Sequence, residues 1–216
     1  MLLTYMGQEF EDVRVTFDEW KKIKPTSPFG KLPTLEVDGK IITQSAAICR
    51  YLGREAGLAG ANPWEDLQID IIVDTFSDFR KDVSGFHHES DPEVKEKKRL
   101  ALLKETVPFY FERFDKIIKD NNGYVANGKL SWADIFLFGF SDTLIAQLQD
   151  DIKYSSMKRY WLSWGDIYVA GISCTVVALL KEEVFEPFPN LKEWRSKIFN
   201  IPGIKIWLDK RPNNHI

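Results

Sequence analysis

The sequence predicts a mixed α/β module followed by an all-α helical module. Three observations carry that reading. Residues 34–43 read as a β-hairpin, because Thr34–Val37 and Ile41–Thr43 flank Asp38-Gly39, and a type I′ turn needs positive φ at both central positions. A helix opens directly afterwards at Gln44-Ser45, with apolar positions at Ala47, Ile48, Tyr51 and Leu52. Beyond the linker-like run Gly57-Leu58-Ala59-Gly60-Ala61-Asn62-Pro63 strand signals stop, and Leu67, Ile71, Ile72, Phe76 and Phe79 recur at helical spacing across 64–86. The expected domains are therefore 1–58 and 64–216.

Met1 to Met6 is apolar and helical, and Gly7 suits its C-terminal cap. Phe10 to Val15 alternates as a strand would. Residues 17–24 form a short, charged, irregular stretch around Trp20, and Pro25, Pro28 and Gly30 make a loop. Pro33 stands at the first position of a strand, where proline marks a turn or a cis bond. Ser45 suits the first turn or cap of the next helix, and Gly57 suits its end. Asp91-Pro92 starts a helix running to about Asn121, with a kink at Pro108.

Leu130-Ser131-Trp132-Ala133-Asp134-Ile135 is a capping box with its hydrophobic staple: Ser131 caps the N–H of Asp134, the Asp134 carboxylate reaches back, and Leu130 meets Ile135. This is a folding signal and carries no chemistry. It occurs twice. Residues 162–180 repeat 130–148 at an offset of 32, with ten of nineteen positions identical. Two tandem copies resemble a duplicated exon; a solenoid would need more repeats.

Net charge is −3, so nothing points to nucleic acid or an anionic membrane as partner. The two cysteines, Cys49 and Cys174, lack metal spacing and read as buried thiols of a cytoplasmic protein. No apolar run reaches membrane-spanning length. The start lacks the basic region of a signal peptide, with Glu9, Glu11 and Asp12 following at once.

Gln44-Ser45 places a hydroxyl and free backbone N–H groups at a helix N-terminus, which is a natural carboxylate site. The plainer reading, a capped helix after a hairpin, stands beside it. The pattern Pro33-x-Leu35-x-x-Asp38-Gly39, then Gln44-Ser45-x-Ala47-Ile48-x-Arg50-Tyr51-Leu52, resembles the glutathione-binding half of the cytosolic glutathione transferases. The nearest likeness is to the sigma class, which includes glutathione-dependent prostaglandin D synthases, insect enzymes and S-crystallins. It runs from Met1 to about residue 150 and resumes near residue 163.

The resemblance implies a thioredoxin-like N-terminal domain and an all-α C-terminal domain. It implies an enzyme that conjugates glutathione to a small hydrophobic electrophile, reduces lipid peroxides or isomerises a prostaglandin endoperoxide. The alternative is a non-catalytic structural or ligand-binding relative on the same scaffold. Glutathione is the implied co-substrate, and no metal is expected: Asp74 matches a metal-bridging carboxylate, but Ser77 replaces its companion. By the same resemblance Leu32, before a cis Pro33, offers its backbone to the cysteinyl part. Gln44 and Ser45 take the γ-glutamyl carboxylate. Trp20, Lys24 and Lys31 lie near the glycine end. Asp78 reaches the γ-glutamyl amine of a partner subunit's ligand, which implies a homodimer with Phe29 as an interface knob. An unrelated thioredoxin-like redox protein is disfavoured, since there is no Cys-x-x-Cys and Cys49 lies on the core face of its helix.

The sequence departs from the family at its start. The family's catalytic tyrosine lies on a first β-strand, and that position falls upstream of Met1; Tyr5 lies on a helix and does not replace it. A thiol of ordinary pKa, about 8.5, is only a few per cent thiolate at neutral pH. The chain is therefore expected to be a poor catalyst, and its strands at 11–15 and 34–37 to lack their common neighbour. The electrophile site is expected to draw on residues 83–87, with Phe86 the apolar candidate and His87 and His88 in a solvent-facing loop.

Overall fold

A computed structural model describes residues 1–87, 89–139 and 185–210. The second copy of the repeat, Cys174, His88 and the end of the first copy lie outside the described residues.

The N-terminal part begins with a single helical turn, α1 (Leu2–Tyr5), ended by Gly7 at φ +68°. Residues 8–14 form no strand and Val15 makes only a bridge, which corrects the expectation of a strand over 10–15. Alternation selects a face, but a strand also needs a neighbour to receive its N–H and C=O groups. Among the described residues the sheet consists of two strands, β1 (Thr34–Val37) and β2 (Lys40–Thr43), paired antiparallel. Phe10 instead packs against Trp207, with ring centroids 5.6 Å apart and the rings tilted by 45°.

A second correction concerns residues 17–24. They form a helix, α2 (Phe17–Ile23), with a complete capping box. The Thr16 hydroxyl accepts the Glu19 N–H at 3.1 Å, and the Glu19 carboxylate accepts the Thr16 N–H at 2.7 Å. Two short 3₁₀ turns, Lys24–Thr26 and Pro28–Gly30, lead to the hairpin. The turn is as expected: Asp38 and Gly39 both take positive φ, +51° and +73°. The helix α3 (Ser45–Glu55) follows, burying Ile48 and Leu52 and leaving Tyr51 exposed.

The rest of the described chain is helical. The long α4 (Pro63–His87) includes His87, so that residue closes a helix and does not sit in a loop. Ile69, Ile72, Val73, Phe79, Val83 and Phe86 are buried, whereas Leu67 and Ile71 are each 46% exposed, off the core face the spacing suggested. The expected helix over 92–121 is two helices, α5 (Pro92–Ala101) and α6 (Val107–Asp120), joined by a π-helical turn at Leu102–Thr106. Pro108 has no N–H to give the preceding turn, so the wider turn lies N-terminal to the proline. After α7 (residues 132–139), α8 (Pro189–Phe199) packs on α6 and α9 (Pro202–Lys210) packs on α1. Asp115 of α6 accepts from Asn190 Nδ2 at 2.7 Å and from the Leu191 N–H at 2.9 Å, satisfying donors at the start of α8. One hydrophobic core runs from Leu2 through Leu52 and the helices to Ile204.

Candidate functional site

The hairpin register defines the site. Thr34 pairs with Thr43 and Val37 with Lys40. Leu32-Pro33, just before β1, and Gln44-Ser45, just after β2, therefore lie at the same end, opposite the Asp38-Gly39 turn. The Leu32–Pro33 peptide is cis, as the position of the proline suggested. Gln44 holds φ +71° and ψ +108°, an unfavourable region for a residue with a Cβ. Such a conformation costs about 1–3 kcal/mol and gathers at functional sites. Here it turns the chain sharply from β2 into α3 and leaves Gln44 exposed at the helix start.

Ser45 is the first residue of α3, and Gln44 makes no side-chain cap to the first turn. The first intrahelical bond at this end runs from the Ile48 N–H to the Gln44 carbonyl at 2.9 Å. The N–H groups before it are donors without an intrahelical acceptor, at the positive end of the helix dipole. This is the arrangement a carboxylate requires.

Lys31 enters the same end through the 3₁₀ turns. The Ser27 hydroxyl donates to the Lys31 carbonyl at 2.9 Å, and the Lys24 side chain lies along Gly30, which holds φ +55°. Lys24 and Lys31 are exposed. Trp20 is buried at 8% exposure on α2, so most of its indole is packed. Asp78 is remote in sequence, on α4; its side chain is exposed and its carboxylate pairs with Lys81 at 2.7 Å. The structure thus gathers Leu32, Pro33, Gln44 and Ser45 at one end, carries Lys24 and Lys31 on the segment leading there, and leaves Asp78 on the surface of another element.

Of the residues considered for the electrophile, Phe86 is buried at 4% with the Lys95 ammonium 5.6 Å from its ring centroid, so it is a packed residue and not an open wall. Cys49 is only half-buried as a residue, but its thiol is enclosed, and burial pushes it up to about 12. That is the opposite of what a nucleophilic or redox cysteine needs. Among the described residues no group of three or more His, Cys, Asp and Glu is placed to hold a metal ion.

The capping box at 131–134 forms with one change of roles. The Ser131 hydroxyl donates to Asp134 at 2.9 Å, where it was expected to accept the Asp134 N–H. Asp134 also receives the Ser131 N–H at 2.8 Å, the Val125 N–H at 2.9 Å and the Trp194 indole N–H at 2.9 Å. Burial raises the Asp134 carboxyl above its ordinary range, and these donors pull it partly back.

Sequence reading gave Arg50 no role. Its Nε donates to Asp70 Oδ1 at 2.9 Å, and its guanidinium lies 5.3 Å from the Trp132 ring centroid. A glycine inside α3, Gly53, was the available signal, since helix interiors disfavour glycine unless another chain segment comes close.

Comparison with known proteins identifies the family. Residues 1–54 match the model of the glutathione S-transferase N-terminal domain, and residues 77–161 that of the glutathione S-transferase C-terminal domain. Glutathione S-transferase S1 of Drosophila melanogaster is 41% identical over 211 residues, covering 98% of this chain and 72% of the fly protein. This chain belongs to the glutathione S-transferase family. Its fold is accordingly the transferase fold, a thioredoxin-like N-terminal domain with a helical C-terminal domain. Hematopoietic prostaglandin D synthase of Gallus gallus is 34% identical over 215 residues, covering 100% of this chain and 90% of the chicken protein. Among solved structures, prostaglandin synthase D of Nilaparvata lugens superposes with TM-score 0.75 at 41% identity, covering 98% of this chain and 89% of that one. Rat hPGDS complexed with a quinoline superposes with TM-score 0.73 at 30% identity, covering 98% and 88%. The transferases are enzymes that use glutathione, and this chain shares their function class. Among the described residues no helix is long and apolar enough to cross a membrane.

Proposed function

We propose that this chain is a sigma-class-like glutathione transferase that grips glutathione at the open end of its hairpin. The observation that carries the reading is the juxtaposition of Leu32-Pro33 and Gln44-Ser45 set by the Thr34–Thr43 register. The backbone at Leu32 pairs with the cysteinyl part as a further strand would. The N-terminus of α3, with the Ser45 hydroxyl, takes the γ-glutamyl carboxylate. Lys24 and Lys31 attract the glycine carboxylate, and Trp20 supports them from below. The electrophile is a small hydrophobic molecule, and the setting is the cytoplasm, where glutathione conjugation serves detoxification.

We propose further that the chain acts as a homodimer. Trp64, Leu67 and Ile71, at helical spacing on α4, are 68%, 46% and 46% exposed, and Phe29 is 83% exposed at φ +58°. Apolar surface of this extent on neighbouring turns of a long helix favours burial against a second copy. In such a dimer Asp78 of one subunit faces the γ-glutamyl amine held by the other.

Conjugation of glutathione to a chromogenic aryl halide, run beside retention on glutathione-agarose, tests the proposed glutathione site. Retention on the matrix is expected, with conjugation as the transferase readout. Loss of retention contradicts the proposed site.

A further inference from the structure

The α3 helix carries the proposed carboxylate site at its first turn, and among the described residues the sheet that leads into it has two strands. A two-stranded hairpin alone is marginally stable. What the helix leans on is the other domain. A Cβ built on Gly53 would lie 2.5 Å from Trp132 Cβ and 2.6 Å from its Cγ, so the backbone of α3 rests directly against the start of α7. One turn back, the Arg50 guanidinium covers the Trp132 ring at 5.3 Å and is tied to Asp70 of α4 at 2.9 Å. Just past the helix, the Trp132 N–H donates to the Leu58 carbonyl at 3.0 Å. Trp132 itself is 1% exposed and follows Ser131, whose N–H is bound to the buried Asp134. Arg50 and Gly53 of α3 thus meet the Trp132 side chain, and Leu58, just past the helix, holds its backbone.

We propose that Trp132 is a positioning residue for glutathione: by seating on Gly53 and Arg50 it sets the direction of α3, and so the place of Ser45 at the other end. This rests on the proposed function above. From Gly53 to Ser45 the helix is about 12 Å long, at about 1.5 Å per residue. A rigid helix displaced at its far end by the thickness of a methyl group therefore carries its N-terminus with it. Binding geometry tolerates little of this, since a misplacement of about 1 Å costs up to about 10²-fold in a positioned interaction. The ion pair between Arg50 and Asp70 is partly exposed, so its part is to hold the guanidinium over the indole more than to add stability.

The test is the glutathione dissociation constant of the full chain, measured by calorimetry beside thermal unfolding, for wild type, Gly53→Ala, Trp132→Phe and Ile118→Val. Ile118 is buried in α6, a helix that carries neither Gly53, Arg50 nor Trp132, and its truncation lowers stability. Gly53→Ala and Trp132→Phe are expected to raise the dissociation constant about tenfold or more, while Ile118→Val lowers Tm and leaves it within about twofold. If Gly53→Ala does not fold, Trp132→Phe decides alone. Unchanged affinity in folded seam variants, or affinity that follows Tm whatever the site of substitution, overturns the proposal. Absence of glutathione binding by wild type overturns the parent reading and this one with it. Binding by wild type with unaffected seam variants overturns this one only.

Discussion

The indole N–H of Trp194 reaches Asp134 at 2.9 Å, joining α8 to the start of α7 across sixty residues of chain. The same carboxylate holds the N–H groups of Val125 and Ser131 and the Ser131 hydroxyl. Asp134 is thus the acceptor on which several buried donors depend. Asp134→Asn keeps one oxygen and turns an NH₂ group toward donors. Leaving a buried donor unmatched costs about 1–3 kcal/mol, and bonds to a charged acceptor are worth about 1.5–3 kcal/mol each. The variant should lose about 3 kcal/mol or more of unfolding free energy, read by urea denaturation. A loss under about 1 kcal/mol contradicts the network.

Cys49 should behave as a closed thiol. With burial pushing it up to about 12, labelling by iodoacetamide at pH 8 should be slow in the native protein and fast in urea, with mass spectrometry locating the adduct. The sign of the linkage follows from the raised value. The contribution of Cys49 to stability is complete below the ordinary value of 9.0 and is lost as pH rises from there through about 12. Cys49→Ala should therefore flatten the alkaline fall in Tm over that range.

The exposed stripe on α4 gives a direct test of assembly. Ile71→Asp places a charge in the proposed interface while leaving the buried face of α4 intact. Light scattering should show a dimer for wild type and a monomer for the variant, with far-UV circular dichroism unchanged. A monomeric wild type contradicts the dimer.

Legibility in the sequence followed the range of the interactions involved. The hairpin was plain, because Asp38-Gly39 states its turn geometry within two residues. The Thr16-Glu19 capping box is equally local, but the charges of Lys21, Lys22 and Lys24 mask it in the sequence. The segment 10–15 misled because alternation specifies a face and says nothing of the neighbour that makes a strand. Leu67 and Ile71 fit the helical period while lying off the core, since 3.6-residue spacing does not tell a chain's own core from a surface stripe. At the site, Gln44 and Ser45 announced a helix N-terminus. The seating of Trp132 on Gly53 joins residues 79 positions apart and has no local signature beyond a glycine where a helix prefers none.

In the proposed site the end of the hairpin and the start of α3 recognise the γ-glutamyl group. The most direct measurement is calorimetric titration of the full chain with glutathione and with the dipeptide Cys-Gly, repeated on Ser45→Ala. Wild type should bind glutathione, Cys-Gly should bind at least about tenfold more weakly, and Ser45→Ala should remove most of that preference, since a charge-assisted hydrogen bond is worth about 1.5–3 kcal/mol. Equal affinity for the two peptides, or a preference that Ser45→Ala leaves intact, would contradict it.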